Sequence, residues 1–182
     1  MKEIVQDGAE VLREVAKPVP ENIFGSAELA RLINAMAVAL DREPDGVALA
    51  APQVGVAWRL FIVRKDRAVP AKAVSPASPE ASQGASHPMP EIEVYVNPEI
   101  VKTSRRKASS DEGCLSVRGV YGVTKRHERV TIRARHPDGK PFTRGAGGII
   151  AQIFEHEIDH LNGILFTDHA ENLVHIKHAA AA

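Results

Sequence analysis

Ala146-Gly147-Gly148-Ile149-Ile150-Ala151-Gln152-Ile153-Phe154-Glu155-His156-Glu157-Ile158-Asp159-His160-Leu161 is a helical stretch. Ile149, Ile150, Ile153 and Phe154 fall at the three- and four-residue spacing that builds one apolar face. Asn162-Gly163 is a helix stop. Within this helix lies His156-Glu157-Ile158-Asp159-His160. Positions i and i+4 share a helix face, so both imidazoles can grip one metal ion while Glu157 stands beside it. Chance would produce this spacing at a rate of about 3 in 100 from the chain's own His and Glu content. The other six histidines lack the spacing and read as exposed or locally satisfied.

Upstream of that helix the signals are mainly those of strands. Trp58 to Val63 reads as a buried strand, and strand character resumes in Ile92 to Val96. Val130, Ile132 and Ala134 alternate with Thr131, Arg133 and Arg135, giving one apolar face. Pro137-Asp138-Gly139-Lys140 then predicts a hairpin turn. One earlier helix is expected over 26–42, capped by Ser26, with Leu29, Leu32, Ile33, Met36 and Leu40 on one stripe and Pro44 and Gly46 beyond its end. The expected fold is α+β, with antiparallel strands packed around a central late helix that carries HExxH.

The 182 residues suit one globular domain. Residues 65–91 are rich in Ala, Pro and Ser and read as a mobile insertion rather than a boundary, and the tail after 176 is expected to fray. Lys plus Arg equals Asp plus Glu, 23 against 23, which leaves no overall basic footprint for DNA. No apolar run approaches the ~20 residues of a membrane span, and the first residues lack the apolar centre of a signal peptide. A cytoplasmic protein is expected.

A catalytic ion held by two histidines needs a third protein ligand and an open position. The extended protease pattern H-E-x-x-H-x-x-G-x-x-H fails here, because Phe166 stands at its last position. Glu171, eleven residues past His160, is one candidate. Cys114 is a better one: it is the single cysteine, sits in Glu112-Gly113-Cys114-Leu115-Ser116, and a thiolate binds Zn or Fe strongly. On its own, a lone Cys is a small buried hydrophobe. Gly46-Val47-Ala48-Leu49-Ala50-Ala51-Pro52-Gln53 reads as a tightly packed loop or strand edge, with Gln53 able to donate to an oxyanion.

These three segments resemble the peptide deformylase family, whose motifs are G-φ-G-φ-A-A-P-Q, E-G-C-L-S and Q-H-E-x-D-H in that order. The chain departs twice: Ala48 replaces the second motif glycine, and Glu155 replaces the glutamine before the first histidine. Glu155 points about 100° away from His156 on a helix, so it bears on hydrogen bonding around the site rather than on ligation. The resemblance implies Cys114, His156 and His160 as metal ligands, Glu157 as the proton-transfer group, and Gln53 with the Leu115 N–H as oxyanion donors. It implies that Gly46, Val47, Ile149 and Ile153 line a pocket for methionine. It also implies one divalent ion, Fe(II) first with Zn, Ni or Co as substitutes. The implied substrates are N-formyl-methionyl peptides and the implied state a monomer, with room for a transient ribosome contact and no DNA or membrane partner. Glu112 and Arg126 either brace the cysteine loop or are unrelated surface charges, the blander alternative. Two rival readings stand beside this one: a metallopeptidase with its third ligand downstream of His160, and an inactive metal-binding relative.

Overall fold

The computed structural model describes residues 2–68 and 91–176. The proposed mobile segment lies in large part, at 69–90, outside these described residues, as does the tail from 177. The two described flanks of that segment meet: Lys65 N–H donates to the Glu91 carbonyl at 3.0 Å, and their side chains form an ion pair.

Eight strands and two α-helices are described. The first helix, α1 (Ala27–Asp41), begins where Ser26 accepts a hydrogen bond from the Leu29 N–H. Its buried stripe holds Leu29, Leu32, Met36 and Leu40, with Ile33 packed at the edge of the same cluster. Strands β1 (Ala48–Ala50), β2 (Leu60–Arg64), β3 (Ile92–Thr103), β6 (Arg129–Arg135) and β7 (Pro141–Gly147) form one antiparallel sheet in the order β1-β2-β3-β6-β7. The β6–β7 hairpin turns at the predicted Pro-Asp-Gly-Lys, with Arg135 opposite Pro141.

A second sheet, in the order β4-β5-β8, is made by β4 (Lys107–Cys114), β5 (Val117–His127) and β8 (Glu171–His175). Little in the residue pattern announces it. Its strands carry polar and charged residues on the exposed face and glycines at 113, 119 and 122, so alternation is weak.

The late helix, α2 (Ile149–Leu161), packs against β1, β6 and β7 of the first sheet and β5 of the second. It starts later than its apolar pattern suggested, because Ala146 and Gly147 pair with Val130 and Arg129 as the last residues of β7. Ladder hydrogen bonds there prevail over helical propensity. Ala151, Phe154, Ile158 and Leu161 bury against Phe61, Tyr95, Val130 and Ile132. At about 1.5–3 kcal/mol for each large apolar side chain, this face is what fixes the helix in place. Among the described residues no helix is long and apolar enough to cross a membrane.

Candidate active site

Three segments meet between the two sheets. α2 presents His156, Glu157 and His160 on neighbouring turns. The β4–β5 hairpin brings Cys114, where a register shift after Gly113 leaves Cys114 opposite Val117 across the Leu115-Ser116 turn. The single 3-10 turn Ala51–Val54, directly after β1, supplies Gln53. Gly113 leaves room for the Tyr121 ring: a Cβ there would come within 2.8 Å of it, and the ring would have to shift. Gly46 is required for the chain to leave α1 for β1, since a Cβ would come within 2.8 Å of Leu40.

Cys114 Sγ lies 3.2 Å from His160 Nε2, and one ligand atom from each of Cys114, His156 and His160 falls within 4.8 Å of the others. The imidazoles are nearly perpendicular, with centroids 5.0 Å apart. His156 turns its Nδ1 to the Glu112 carboxylate at 3.1 Å, which directs Nε2 toward the sulfur. A soft thiolate with two imidazoles is a donor set for Fe(II), Zn, Ni or Co. The burial of His160 beside the sulfur, with Glu157 Oε2 buried and without a hydrogen-bond partner among the described residues, fits a metal centre.

Behind the donors lies a charged network. Arg126 grips Glu112 bidentately at 2.6 and 2.9 Å, and Thr124 Oγ1 donates to Glu112 at 2.8 Å. The other side of the guanidinium reaches Asp159 at 2.6 Å. The alternative of unrelated surface charges is thereby overturned: the Glu112 and Arg126 side chains are 2% and 7% exposed. Burial alone would raise the Glu112 carboxyl, but hydrogen bonds from Arg126 and His156 and their charges outweigh it and hold it well below the usual carboxylate range. Burial likewise disfavours a charged His156, yet hydrogen bonds to Cys114 and Glu112 hold its pKa well above the ordinary value. His160 is pushed well below that value by burial and by the neighbouring His156. Burial pushes the Glu157 carboxyl up to about 7.

Gln53 is 2% exposed and fixed at both ends of its amide. Its Oε1 accepts from the Ala50 N–H at 2.8 Å, and its Nε2 donates to Ser116 Oγ at 3.2 Å while lying 3.6 Å from Cys114 Sγ. Glu155 does turn away from the centre, as its helix position required. It accepts both the backbone N–H and the ring Nδ1–H of His127, at 2.8 and 2.6 Å.

The donors open into a cavity of about 480 Å³. Gly46, Val47, Gln53, Leu115, Ile149, Ile153 and Glu157 all line it. Ile153 is buried, whereas Ile149 is 42% exposed at the edge. Sequence reasoning missed Asp111, Arg118, Tyr121 and Gln152 on the same wall. Only the unrecognised β4–β5 pairing could have placed the first three there. Glu171, the rival third ligand, lies on exposed β8 and faces Lys125 at 3.4 Å, and Phe166 is core.

The family model described as polypeptide deformylase matches residues 1–175. The chain belongs to the polypeptide deformylase family. Deformylases are hydrolases that remove the formyl group from the N terminus of nascent polypeptides, and this member is such an enzyme. They are metal-dependent, in keeping with the Cys114, His156 and His160 cluster. A peptide deformylase of Symbiobacterium thermophilum is 40% identical over 171 residues, covering 94% of this chain and 67% of that protein. Peptide deformylase 2 of Pseudomonas putida is 38% identical, covering 91% and 85%. The structure of a class I type b deformylase from Acinetobacter baumannii with Met-Ala-Ser bound superposes with a TM-score of 0.75 at 35% identity, covering 91% of this chain and 96% of that one. The mixed fold with antiparallel sheets is thus that of the deformylases.

Proposed function

We propose that Cys114, His156 and His160 hold one divalent ion, Fe(II) in the cell, and that Glu157 moves the proton in hydrolysis of formyl-methionyl peptides. The observation that carries this is the convergence of the three donor atoms within 4.8 Å, beside the buried Glu157 Oε2, which has no partner among the described residues. Bound there, the ion would supply positive charge that lowers the pKa of water and offsets negative charge on the formyl oxygen. Glu157 removes a proton from the attacking water as the new C–O bond forms. It returns that proton to the amide nitrogen as the C–N bond breaks, releasing formate and the free amine. A carboxyl raised toward neutrality is suited to both halves of this transfer. Gln53 Nε2, held in place by Ala50 and Ser116, and the Leu115 N–H donate to the oxyanion. Gly46, Val47, Ile149 and Ile153 shape the cavity for methionine. The family resemblance supports a single-domain cytoplasmic monomer with residues 65–91 inserted between β2 and β3, meeting its substrate in transient contact with the ribosome.

Formate release from formyl-Met-Ala-Ser, with metal content measured on the same sample, tests this reading. Cys114→Ala loses metal and activity together. Glu157→Ala keeps its metal and slows turnover on the order of a thousandfold; full activity in that variant removes Glu157 from the mechanism. Gln53→Ala slows turnover about a hundredfold with metal retained.

A further inference from the structure

The two proposed oxyanion donors stand on turns that are distant in the chain. Gln53 belongs to the turn Ala51–Val54, and the Leu115 N–H to the Leu115-Ser116 turn between β4 and β5. Directly, the turns share the hydrogen bond from Gln53 Nε2 to Ser116 Oγ at 3.2 Å and the 3.6 Å approach of the same nitrogen to Cys114 Sγ. Two donors serve an oxyanion well when they are held at a fixed gap before the reaction. A single hydrogen bond between neutral side chains is a weak tie for that purpose.

Residues 2–7 tie the same two turns together without lining the cavity. Lys2 Nζ donates to the Val54 carbonyl at 3.0 Å, and the Val5 N–H to the Gln53 carbonyl at 2.9 Å. Gln6 Nε2 then donates to the Leu115 carbonyl at 3.1 Å, and the Asp7 N–H to the Ser116 carbonyl at 2.7 Å. Each turn thus receives two bonds. Gln6 Nε2 also donates to the Ile4 carbonyl at 3.2 Å, which fixes its side chain. Apolar packing seats the segment on both sides. Ile4 lies against the core cluster that holds Val54 and Leu115, and Val5 against the one that holds Val117 and Cys114. Beyond it, Asp7 faces Arg13 at 3.6 Å, and Arg13 also holds Asp168 at 2.6 Å.

Peptide units are planar, so holding the successive carbonyls of Leu115 and Ser116 fixes the turn that carries the Leu115 N–H. Holding the Gln53 and Val54 carbonyls likewise fixes the backbone from which the Gln53 amide projects. We infer that Lys2 and Gln6 are positioning residues, through which segment 2–7 sets the gap between the Gln53 amide and the Leu115 N–H. This rests on the proposed role of those two donors. Neither Lys2 nor Gln6 lines the cavity, so the effect falls on kcat, with KM and bound metal unchanged.

The test compares metal-loaded wild type, Lys2→Ala, Gln6→Ala and the double variant in formate release from formyl-Met-Ala-Ser, with metal content and thermal unfolding measured on the same samples. The double variant is expected to lose on the order of tenfold in kcat, because small misplacements are costly in a preorganised site. Gln6→Glu keeps the size but cannot donate, and loses as much as Gln6→Ala, whereas Gln6→Lys donates again and recovers most of the rate. A role in packing alone would favour the glutamate. Lys2→Ala has little further effect in a Gln53→Ala protein, because it acts through that amide. Amide hydrogen exchange over 51–54 and 114–116 is expected to quicken in the double variant. The inference is overturned by a double-variant kcat within about twofold of wild type, by a loss confined to KM or metal content, or by unchanged exchange. An undiminished effect of Lys2→Ala in the Gln53→Ala protein overturns it as well. If wild type itself releases no formate, the proposed function fails and the inference with it, a result distinct from release that ignores Lys2 and Gln6.

Discussion

Two bidentate carboxylate–guanidinium pairs flank the same cavity, and they differ chiefly in burial. Glu112–Arg126 lies behind the Cys114, His156 and His160 cluster with side chains 2% and 7% exposed, while Glu43–Arg118 lies at the mouth with side chains 18% and 51% exposed. In the buried pair every charged edge has a partner: Thr124 and His156 also reach Glu112, and Asp159 completes Arg126. Taking two charges out of water is costly, and only this complete set of hydrogen bonds offsets it. At the mouth, water still solvates Arg118, so the attraction is screened and the pair contributes little. One pair therefore orients the His156 ring, a proposed metal ligand, and the other only shapes the opening.

The largest test of this contrast is Arg126→Ala. It leaves Glu112 buried and uncompensated, so unfolding free energy measured in urea is expected to drop by about 3–5 kcal/mol. Because Glu112 positions the His156 ring, metal affinity in the same variant should weaken about 10–100-fold. Wild-type stability and affinity in this protein would remove the network from the account of the site. Arg126→Lys keeps the charge but loses the planar fork, and an intermediate loss is expected. Arg118→Ala should change stability by under about 1 kcal/mol, and by less still in high salt.

The smallest effect concerns pH. The Arg118 hydrogen bond, followed by the opposing effect of burial and then by the Arg118 charge, leaves the Glu43 carboxyl below its ordinary value of 4.5. Since the folded value is the lower one, the contribution is complete above about pH 4.5 and is lost as the pH falls through the folded value. Wild type and Arg118→Ala should therefore converge in stability as acid titrates Glu43. A gap between them that persists below that range would show that Arg118 acts through packing instead.

The site was legible in unequal parts. His156, Glu157 and His160 could be placed from their own spacing, and Gln53 and Cys114 from short motifs. The paired strands β4 and β5 could not, because their residues show weak alternation and the hairpin turns at Leu115-Ser116 without a strong turn signature. With the hairpin unseen, Asp111, Arg118 and Tyr121 had no visible connection to the helix. The same gap left Glu112 and Arg126 undecided, although they lie on one face of a single ladder with Thr124 between them.

By itself the sequence determined what depends on near neighbours along the chain. These are the Ser26 cap, the apolar faces of both helices, the β6–β7 turn, and two imidazoles one helical turn apart, all set by backbone period and local hydrogen bonds. Tertiary structure alone decided which distant groups share a desolvated space: sulfur with the two rings, Glu155 with His127, and Arg126 with Glu112 and Asp159. Those pairings arise where two sheets close on one helix. Their strength comes from excluding water, a condition that no stretch of neighbouring residues can establish.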